Sequence, residues 1–398
     1  MIGKTLMLFF SLCLAFLNTC LGEVVPIGES HRIHSSQLNE DREYKIYLPD
    51  SYKWGQDKRY PVLYVLDGNS HFFHTAASVD FLSAQGEIPE MIVVAIASTA
   101  RVRDFTQTDW SSHWVGGGGA DKFRAFLSKE LIPEIDRTYR TQDFRVLSGH
   151  SAGGQFALYC LTSDPILFQA YFALSPSLDW DNKLPLRSLE SYFSSTQTLK
   201  TFVYVGRGDD YAGGEALADF NKLVEILGKA PQGVRRQIRT FPDESHTTLP
   251  LLGQIDALRS LYSGWRLPEA TLDKGLAAVQ AHYNDVSKML GRPVAVPENV
   301  LNDLGYAALE QGKVKEAITL FQSNVDANPN SANAYDSLAD GYLKDGQLLA
   351  AKRAEDHSVQ LARQWANPNL TSFEQQAKKI DQRLQEQEIE KKRSGKNP

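Results

Sequence analysis

The sequence predicts an α/β fold with a mostly parallel sheet flanked by helices, followed by a small all-α domain. Three observations predict it. Short β-rich runs alternate with helical segments as far as Trp265. A glycine-flanked serine stands between one such run and the helical segment after it. Beyond Trp265 the β-rich runs stop, and a self-similarity with a period of 34 residues begins.

The serine lies in residues 149–153, which read Gly-His-Ser-Ala-Gly and match the pattern G-x-S-x-G. Residues 144–147 before it predict a buried strand, and residues 155–160 after it predict a helix. In this setting the serine occupies a sharp strand-to-helix turn, where glycines let the backbone double back. Ser151 is therefore the predicted nucleophile. The N–H of Ala152, at the helix N-terminus, is a predicted oxyanion donor.

A serine needs a base and an acid, and this type of turn places them downstream in the order serine, acid, histidine. His246 follows a predicted strand at residues 236–241 and is the predicted general base. Asp209 follows a predicted strand at residues 201–206, so it lies at the strand end where such sheets bind ligands. It is the preferred acid. Three other acids remain as alternatives: Asp210, Glu215 and Asp243.

Four aromatic or imidazole side chains are candidates for the wall of the substrate pocket, with packing as the alternative for His150. His150 stands inside the turn itself, and Trp180 falls between the turn and the acid. Trp110 and Trp114 precede four consecutive glycines, and no Gly-Lys-Ser/Thr follows, which rejects a phosphate-binding loop. The two tryptophans either close over a substrate or pack in the core.

Several further segments carry a family resemblance. Residues 44–49, 60–68, 131–135 and 173–177, together with the serine turn, resemble the esterase-D-like branch of the α/β-hydrolases. That branch includes enterochelin and bacillibactin esterases, and the resemblance spans roughly residues 40–265. It implies an α/β-hydrolase fold and a serine hydrolase of carboxylic esters. It also implies a second oxyanion donor, a backbone N–H near Gly68 or Asn69.

The N-terminus predicts export. Residues 1–22 combine Lys4, a short apolar run and small residues, as a secretory signal peptide does. Cleavage near Gly22 would change the formal charge from −6 to −7 through loss of Lys4 and leave Cys160 as the only thiol, which excludes an intramolecular disulfide. A lipid anchor on Cys20 is the less favoured alternative, because the residues before it fit a lipobox poorly. We expect a periplasmic or secreted enzyme.

Composition narrows the choice of partners. The acidic balance and the lack of basic clusters argue against nucleic acid. The apolar run near the N-terminus is too short to favour a membrane span, and the sequence has no second such run. No histidines and cysteines fall at metal-ligand spacing. We therefore expect neither metal nor cofactor, and a small-molecule ester as substrate.

The sequence divides into a catalytic domain at residues 23–265, a helical linker at 266–297, repeats at 298–365 and a charged helical tail at 366–398. The repeats resemble tetratricopeptide repeats, since Leu304 returns as Leu338 and Gly312 as Gly346. Whether they bind a peptide, contact another protomer or pack on the rest of the chain stays open.

Together these features predict ester hydrolysis through an acyl-enzyme on Ser151, with His246 as general base. Three alternatives remain. The chain could cleave a siderophore trilactone, or transfer the acyl group to an alcohol other than water. It could also be a catalytically idle scaffold that acts through its repeats.

Overall fold

A computed structural model describes residues 27–54, 58–113, 116–209 and 214–393. Its strands are β1 (Glu29–Ser35), β2 (Glu40–Tyr47), β3 (Tyr60–Val65), β4 (Ile92–Ile96), β5 (Thr141–His150), β6 (Ala170–Leu174), β7 (Thr198–Gly208) and β8 (Gln232–Phe241). They form one sheet of eight strands in the order β1-β2-β4-β3-β5-β6-β7-β8. β2 is antiparallel to β1 and β4, and all other neighbours are parallel.

Eight helices accompany the sheet: α1 (Gly68–Ala84), α2 (Arg101–Phe105), α3 (Ala120–Phe126), α4 (Ile132–Thr138), α5 (Ala152–Ser163), α6 (Trp180–Ser195), α7 (Gly214–Gly228) and α8 (Leu249–Leu261). A π-helical turn, Leu127–Leu131, joins α3 to α4. The predicted fold class, a mostly parallel sheet with flanking helices and an all-helical C-terminal region, is confirmed.

Both faces of the sheet are covered. Every residue of β3, β4 and β6 is buried, as expected for parallel strands between two layers of helices. Alternate residues of β3 enter different cores: Val62 and Tyr64 join one apolar cluster, while Leu63 and Val65 join the other. The sheet is therefore the rigid centre from which the loops at its carboxyl edge project.

Four of those loops carry predicted site residues. Gly68 follows β3, Ser151 follows β5, Asp209 follows β7 and His246 follows β8. Because these strands are parallel, their carboxyl ends lie at one edge of the sheet. Segments distant in sequence therefore meet there.

Seven more helices follow: α9 (Glu269–Leu272), α10 (Leu276–Leu290), α11 (Glu298–Glu310), α12 (Val314–Ala327), α13 (Ala332–Lys344), α14 (Leu348–Gln364) and α15 (Leu370–Arg393). The pairs α11–α12 and α13–α14 start 34 residues apart, at Glu298 and Ala332. Their apolar side chains share a core with α10, and Trp265 packs against both this core and the sheet. The assignment to tetratricopeptide repeats stays a prediction.

No helix among the described residues has the length and apolarity needed to cross a bilayer. The predicted signal peptide, residues 1–22, lies outside the described part of the chain.

Two interacting carboxyl groups lie inside the helical region, Asp336 on α13 and Glu355 on α14. Glu355 is fully buried. Burial raises the pKa of both groups; the charge of Asp340 raises the pKa of Asp336 further, and that of Asp336 raises the pKa of Glu355. The folded helices therefore retain protons that the unfolded chain would release.

We predict that Glu355→Gln stabilises the helical region at pH 8 by roughly 1–3 kcal/mol. At this pH the buried Glu355 carboxyl costs free energy whether it binds a proton or ionises, and the glutamine amide removes that cost. Wild-type stability should fall as the pH rises from about 4 through neutrality, since a carboxyl with a raised folded-state pKa binds more protons folded than unfolded. The stability of the Glu355→Gln variant should decrease less over the same pH range. Thermal unfolding at pH 5 and pH 8 measures both, with the exposed Glu316→Gln on α12 as control. Equal pH dependence in variant and wild type would contradict the prediction.

Candidate active site

Ser151 occupies a strained turn between β5 and α5. Its backbone has φ 58° and ψ −118°, which a non-glycine residue adopts only when the surroundings hold it there. The turn is so tight that a methyl group on Gly149 would lie 2.2 Å from the Gly153 carbonyl oxygen. The Ser151 N–H donates to the Leu174 carbonyl oxygen at 2.9 Å, which ties the turn to β6. The geometry is that of a nucleophile elbow.

Ser177 is a neighbour that the sequence analysis did not single out. Its Oγ lies 3.4 Å from the Ser151 Oγ, and its N–H donates to the Ser151 carbonyl oxygen at 3.0 Å. It belongs to the loop after β6, so sheet pairing brings it to the elbow. Only its place in segment 173–177 of the resemblance signalled it.

His246 lies in the loop between β8 and α8, half-buried. Its ring packs against the ring of His150, with centroids 4.5 Å apart and planes tilted by 50°. Because His150 directly precedes Ser151, the structure brings the predicted base to the nucleophile's turn. His150 thus lies between the two segments, while its predicted role in a substrate pocket stays a prediction.

The candidate acids are spread over different places. Asp209 is exposed, and its backbone N–H donates to the Glu244 carbonyl oxygen at 2.7 Å, which ties the end of β7 to the loop of His246. Glu215 is exposed on α7, where its charge helps to raise the pKa of Lys183. Asp243 is exposed two residues after β8, and Asp210 lies outside the described residues.

Two helix N-termini approach the elbow, and each begins at a predicted oxyanion donor. Ala152 is the first residue of α5 and Gly68 the first of α1, so their N–H groups belong to the turns that lack intrahelical partners. Gly68 has to be glycine, since a methyl group there would lie 2.6 Å from the Ala95 carbonyl carbon. The Asn69 Oδ1 accepts from the Ser98 N–H at 3.2 Å, which fixes the start of α1.

Arg101 joins the two helix starts, and sequence reasoning missed it. Its Nε donates to both carboxylate oxygens of Asp67, at 3.0 and 3.1 Å, and its Nη2 donates to the His150 carbonyl oxygen at 2.8 Å. Asp67, at φ 56°, directly precedes α1, and Ser98 donates to its Oδ1 at 2.6 Å. Asp67 thus braces the turn before α1. Asp67, the partner of Arg101, lies 34 residues upstream, and no local sequence pattern predicts the contact.

A buried ion pair holds the short helix α2 that begins with Arg101. Arg42 on β2 and Asp104 on α2 are each 1% exposed, and Arg42 Nη2 lies 2.5 Å from Asp104 Oδ2. Glu40 also contacts Arg42, at 2.6 Å. Because breaking a buried pair leaves an uncompensated charge, this network strongly constrains where α2 and Arg101 lie.

The predicted pocket tryptophans form an aromatic cluster. Trp110 packs edge-on against Trp180 at 5.3 Å and stacks on His113 at 5.3 Å. Trp180 is buried, and its Nε1 donates to Thr108 Oγ1 at 3.1 Å. Trp114 lies outside the described residues. Trp180 therefore packs in the protein interior, three residues after Ser177.

Strained backbone follows this cluster. Asp181, Asn182 and Lys183 all have positive φ, between 44° and 63°. Arg187 donates to the carbonyl oxygens of Asp181 and Asn182, each at 3.0 Å, and Lys183 Nζ forms an ion pair with buried Asp219 at 2.6 Å. These polar contacts hold a turn that would otherwise be unfavourable.

The site chemistry that the described residues offer is that of hydroxyl, imidazole, carboxylate and backbone groups. Among them, no group of three or more His, Cys, Asp or Glu side chains is placed to bind a metal ion.

Comparison with known proteins assigns the family. The family model described as "Putative esterase" matches residues 35–222. The ferri-bacillibactin esterase BesA of Bacillus subtilis is 31% identical over 254 residues, which cover 56% of this chain and 86% of BesA. The chain belongs to this family of esterases.

Other members extend the comparison. The siderophore triacetylfusarinine C esterase of Aspergillus fumigatus is 30% identical over 42% of this chain and 62% of its own length. The crystal structure of an IroE-like serine hydrolase from Shewanella oneidensis is 29% identical with a TM-score of 0.66, covering 75% of this chain and 98% of that one. The chain is thus a serine-type hydrolase of carboxylic esters with an α/β-hydrolase fold. The predicted resemblance and enzyme class are confirmed.

We predict that Gly149→Ala disrupts the elbow of this esterase. The added methyl group would meet backbone at 2.2 Å, which cannot yield as a flexible side chain does, so stability should fall by roughly 1–3 kcal/mol or more and ester hydrolysis should be lost. Urea unfolding and an ester assay test this. Gly228→Ala is the control, because nothing lies within 4 Å of its added methyl group. Equal stability and activity of the two variants would refute the steric argument.

Proposed function

We propose that this esterase hydrolyses the ester bonds of a siderophore through an acyl-enzyme on Ser151, with His246 as general base. The observation that carries the mechanism is the strained Ser151 turn, whose neighbour His150 packs directly against the ring of His246. Strain that persists at a polar residue is typical of active sites. The substrate class rests on relatives, among them the ferri-bacillibactin esterase and the triacetylfusarinine C esterase.

In the proposed first step His246 takes the Ser151 Oγ proton while Oγ bonds to the ester carbonyl carbon. The negative charge on the carbonyl oxygen is stabilised by the N–H groups of Ala152 and of Gly68 or Asn69. The carbon–oxygen bond to the alcohol then breaks, and His246 passes its proton to the leaving oxygen. Water, deprotonated by His246, then bonds to the acyl carbon. The carbon–Oγ bond breaks, the acid leaves, and His246 returns the proton to Ser151 Oγ. Asp209 is the proposed acid that orients His246.

Ser151→Ala should reduce the turnover number by several orders of magnitude while the protein stays folded, because only binding and the oxyanion donors then act. The assay uses chromogenic esters from acetyl to octanoyl and a macrocyclic catecholate trilactone, with products identified by mass spectrometry. Trilactone opening by the wild type, lost in the variant, supports the proposal.

Other outcomes separate the alternatives. Hydrolysis of the chromogenic esters but not of the trilactone would reject a siderophore as the substrate and indicate a general carboxylesterase. Wild-type activity preserved in Ser151→Ala would refute the nucleophile. Ester products formed with an added alcohol would indicate acyl transfer. A folded wild type that cleaves nothing and is not labelled by a fluorophosphonate would favour the scaffold.

We also propose that the enzyme is exported, on the sequence pattern of residues 1–22. Expression of the full chain in a Gram-negative host should yield a periplasmic or secreted protein that starts at Glu23 by N-terminal sequencing. Retention of Met1 and a cytoplasmic location would contradict export, and a lipid on Cys20 would identify the lipoprotein alternative.

A further inference from the structure

Four histidines from three separate segments stand in a line, here called the histidine row: His74, His71, His150 and His246. His74 Nε2 lies 3.0 Å from His71 Nδ1 on the neighbouring turn of α1. The His71 ring meets the His150 ring edge-on, with centroids 5.7 Å apart and an angle of 88°. The His150 ring then packs against His246 at 4.5 Å. The row therefore runs from within α1 to the proposed general base.

His150 is held at both its backbone and its ring. Its carbonyl oxygen accepts from Arg101 Nη2 at 2.8 Å, and its ring packs against the rings of His71 and His246. As the last residue of β5, it also sits on the rigid sheet. A ring that is fixed in this way can define the position of a loop residue that packs against it, and His246 is such a residue.

Tight packing surrounds the rings of His71, His74 and His150. The cavity that adjoins them has a volume of about 10 Å³, which is about the space that one water molecule needs. Gln254 on α8 lines the same cavity. Rotation of His150 away from His246 would thus require displacement of packed neighbours.

The three histidines behind the base, His150, His71 and His74, carry no charge at neutral pH. Burial, with smaller contributions from His246, His71 and Arg101, lowers the pKa of His150 to about 3. Burial also lowers the pKa of His71, and lowers that of His74 to about 4. At neutral pH these rings are uncharged, so they can contact His246 without opposing the imidazolium that forms when it takes the serine proton.

We propose that His150 is a positioning residue for the general base: its ring holds the His246 imidazole toward Ser151, with His71 and His74 as the support behind it. The inference rests on the proposed function in that His246 is taken as the base. It assigns no proton transfer to His150.

The test compares His150→Ala, His150→Gln and a matched control, His31→Ala. His31 also stacks on an aromatic ring, Tyr44 at 5.4 Å, but stands on the edge strand β1. Readouts are kcat and KM for a chromogenic ester, the labelling rate of Ser151 with a fluorophosphonate, and the melting temperature. Labelling reports how well the base activates Ser151 without dependence on the natural substrate.

His150→Ala should lower kcat and the labelling rate by roughly 10- to 100-fold, the loss that follows when a catalytic group shifts by about 1 Å, with KM changed less than about twofold. His150→Gln should recover part of the rate, because its longer side chain still fills part of the space against the His246 ring. His31→Ala should keep the wild-type rate. Should His150→Ala fail to fold, His150→Gln and His71→Leu carry the test, and both are expected to label more slowly than wild type.

The inference is overturned if His150→Ala labels and turns over as fast as wild type, or if its loss equals that of His31→Ala. A loss confined to KM would place His150 in substrate binding and overturn positioning. Failure of the wild type to react with the fluorophosphonate would instead reject the proposed serine mechanism, so the two failures are distinguishable.

Discussion

The close approach of two backbone segments at the elbow is the constraint on which the rest of the site depends. Gly149 and Gly153 leave no space for even one methyl group between them, and this contact forces Ser151 to a positive φ. The strain costs about 1–3 kcal/mol. Hydrogen bonds to Leu174 and from Ser177 hold the turn in place, so β6 and its following loop stabilise what the local backbone disfavours.

A second layer of contacts fixes the surroundings of the elbow. Arg101 bridges Asp67 and the His150 carbonyl oxygen, and thereby couples the start of α1 to the end of β5. Arg101 is itself constrained by the buried pair of Arg42 and Asp104 beneath α2. Both helix N-termini that carry proposed oxyanion donors are thus joined by charged groups, and preorganised donors of this kind need no rearrangement during reaction.

The C-terminal helices add a body that packs on the catalytic fold. Trp265 contributes to both cores, and Arg292 hydrogen-bonds to Gln142 at the start of β5, opposite the catalytic edge. The helices therefore adjoin the amino ends of the parallel strands and leave the carboxyl edge to the elbow. Buried carboxyls such as Glu355 cost stability, so the helical packing has to offset them.

The sequence by itself determined what is local: the elbow at Ser151, the strand before it and the helix after it. The fold class followed too, because hydrophobic periodicity and glycine positions act within a few residues. The sequence did not predict the lengths of the elements. β7 runs from Thr198 to Gly208, beyond the predicted 201–206, since pairing with β8 extends it at both ends. Only the tertiary structure decided that Arg101 meets Asp67 and that His71, His150 and His246 stand in one row. These contacts join segments that only the parallel sheet brings to a common edge, so no spacing along the chain encodes them.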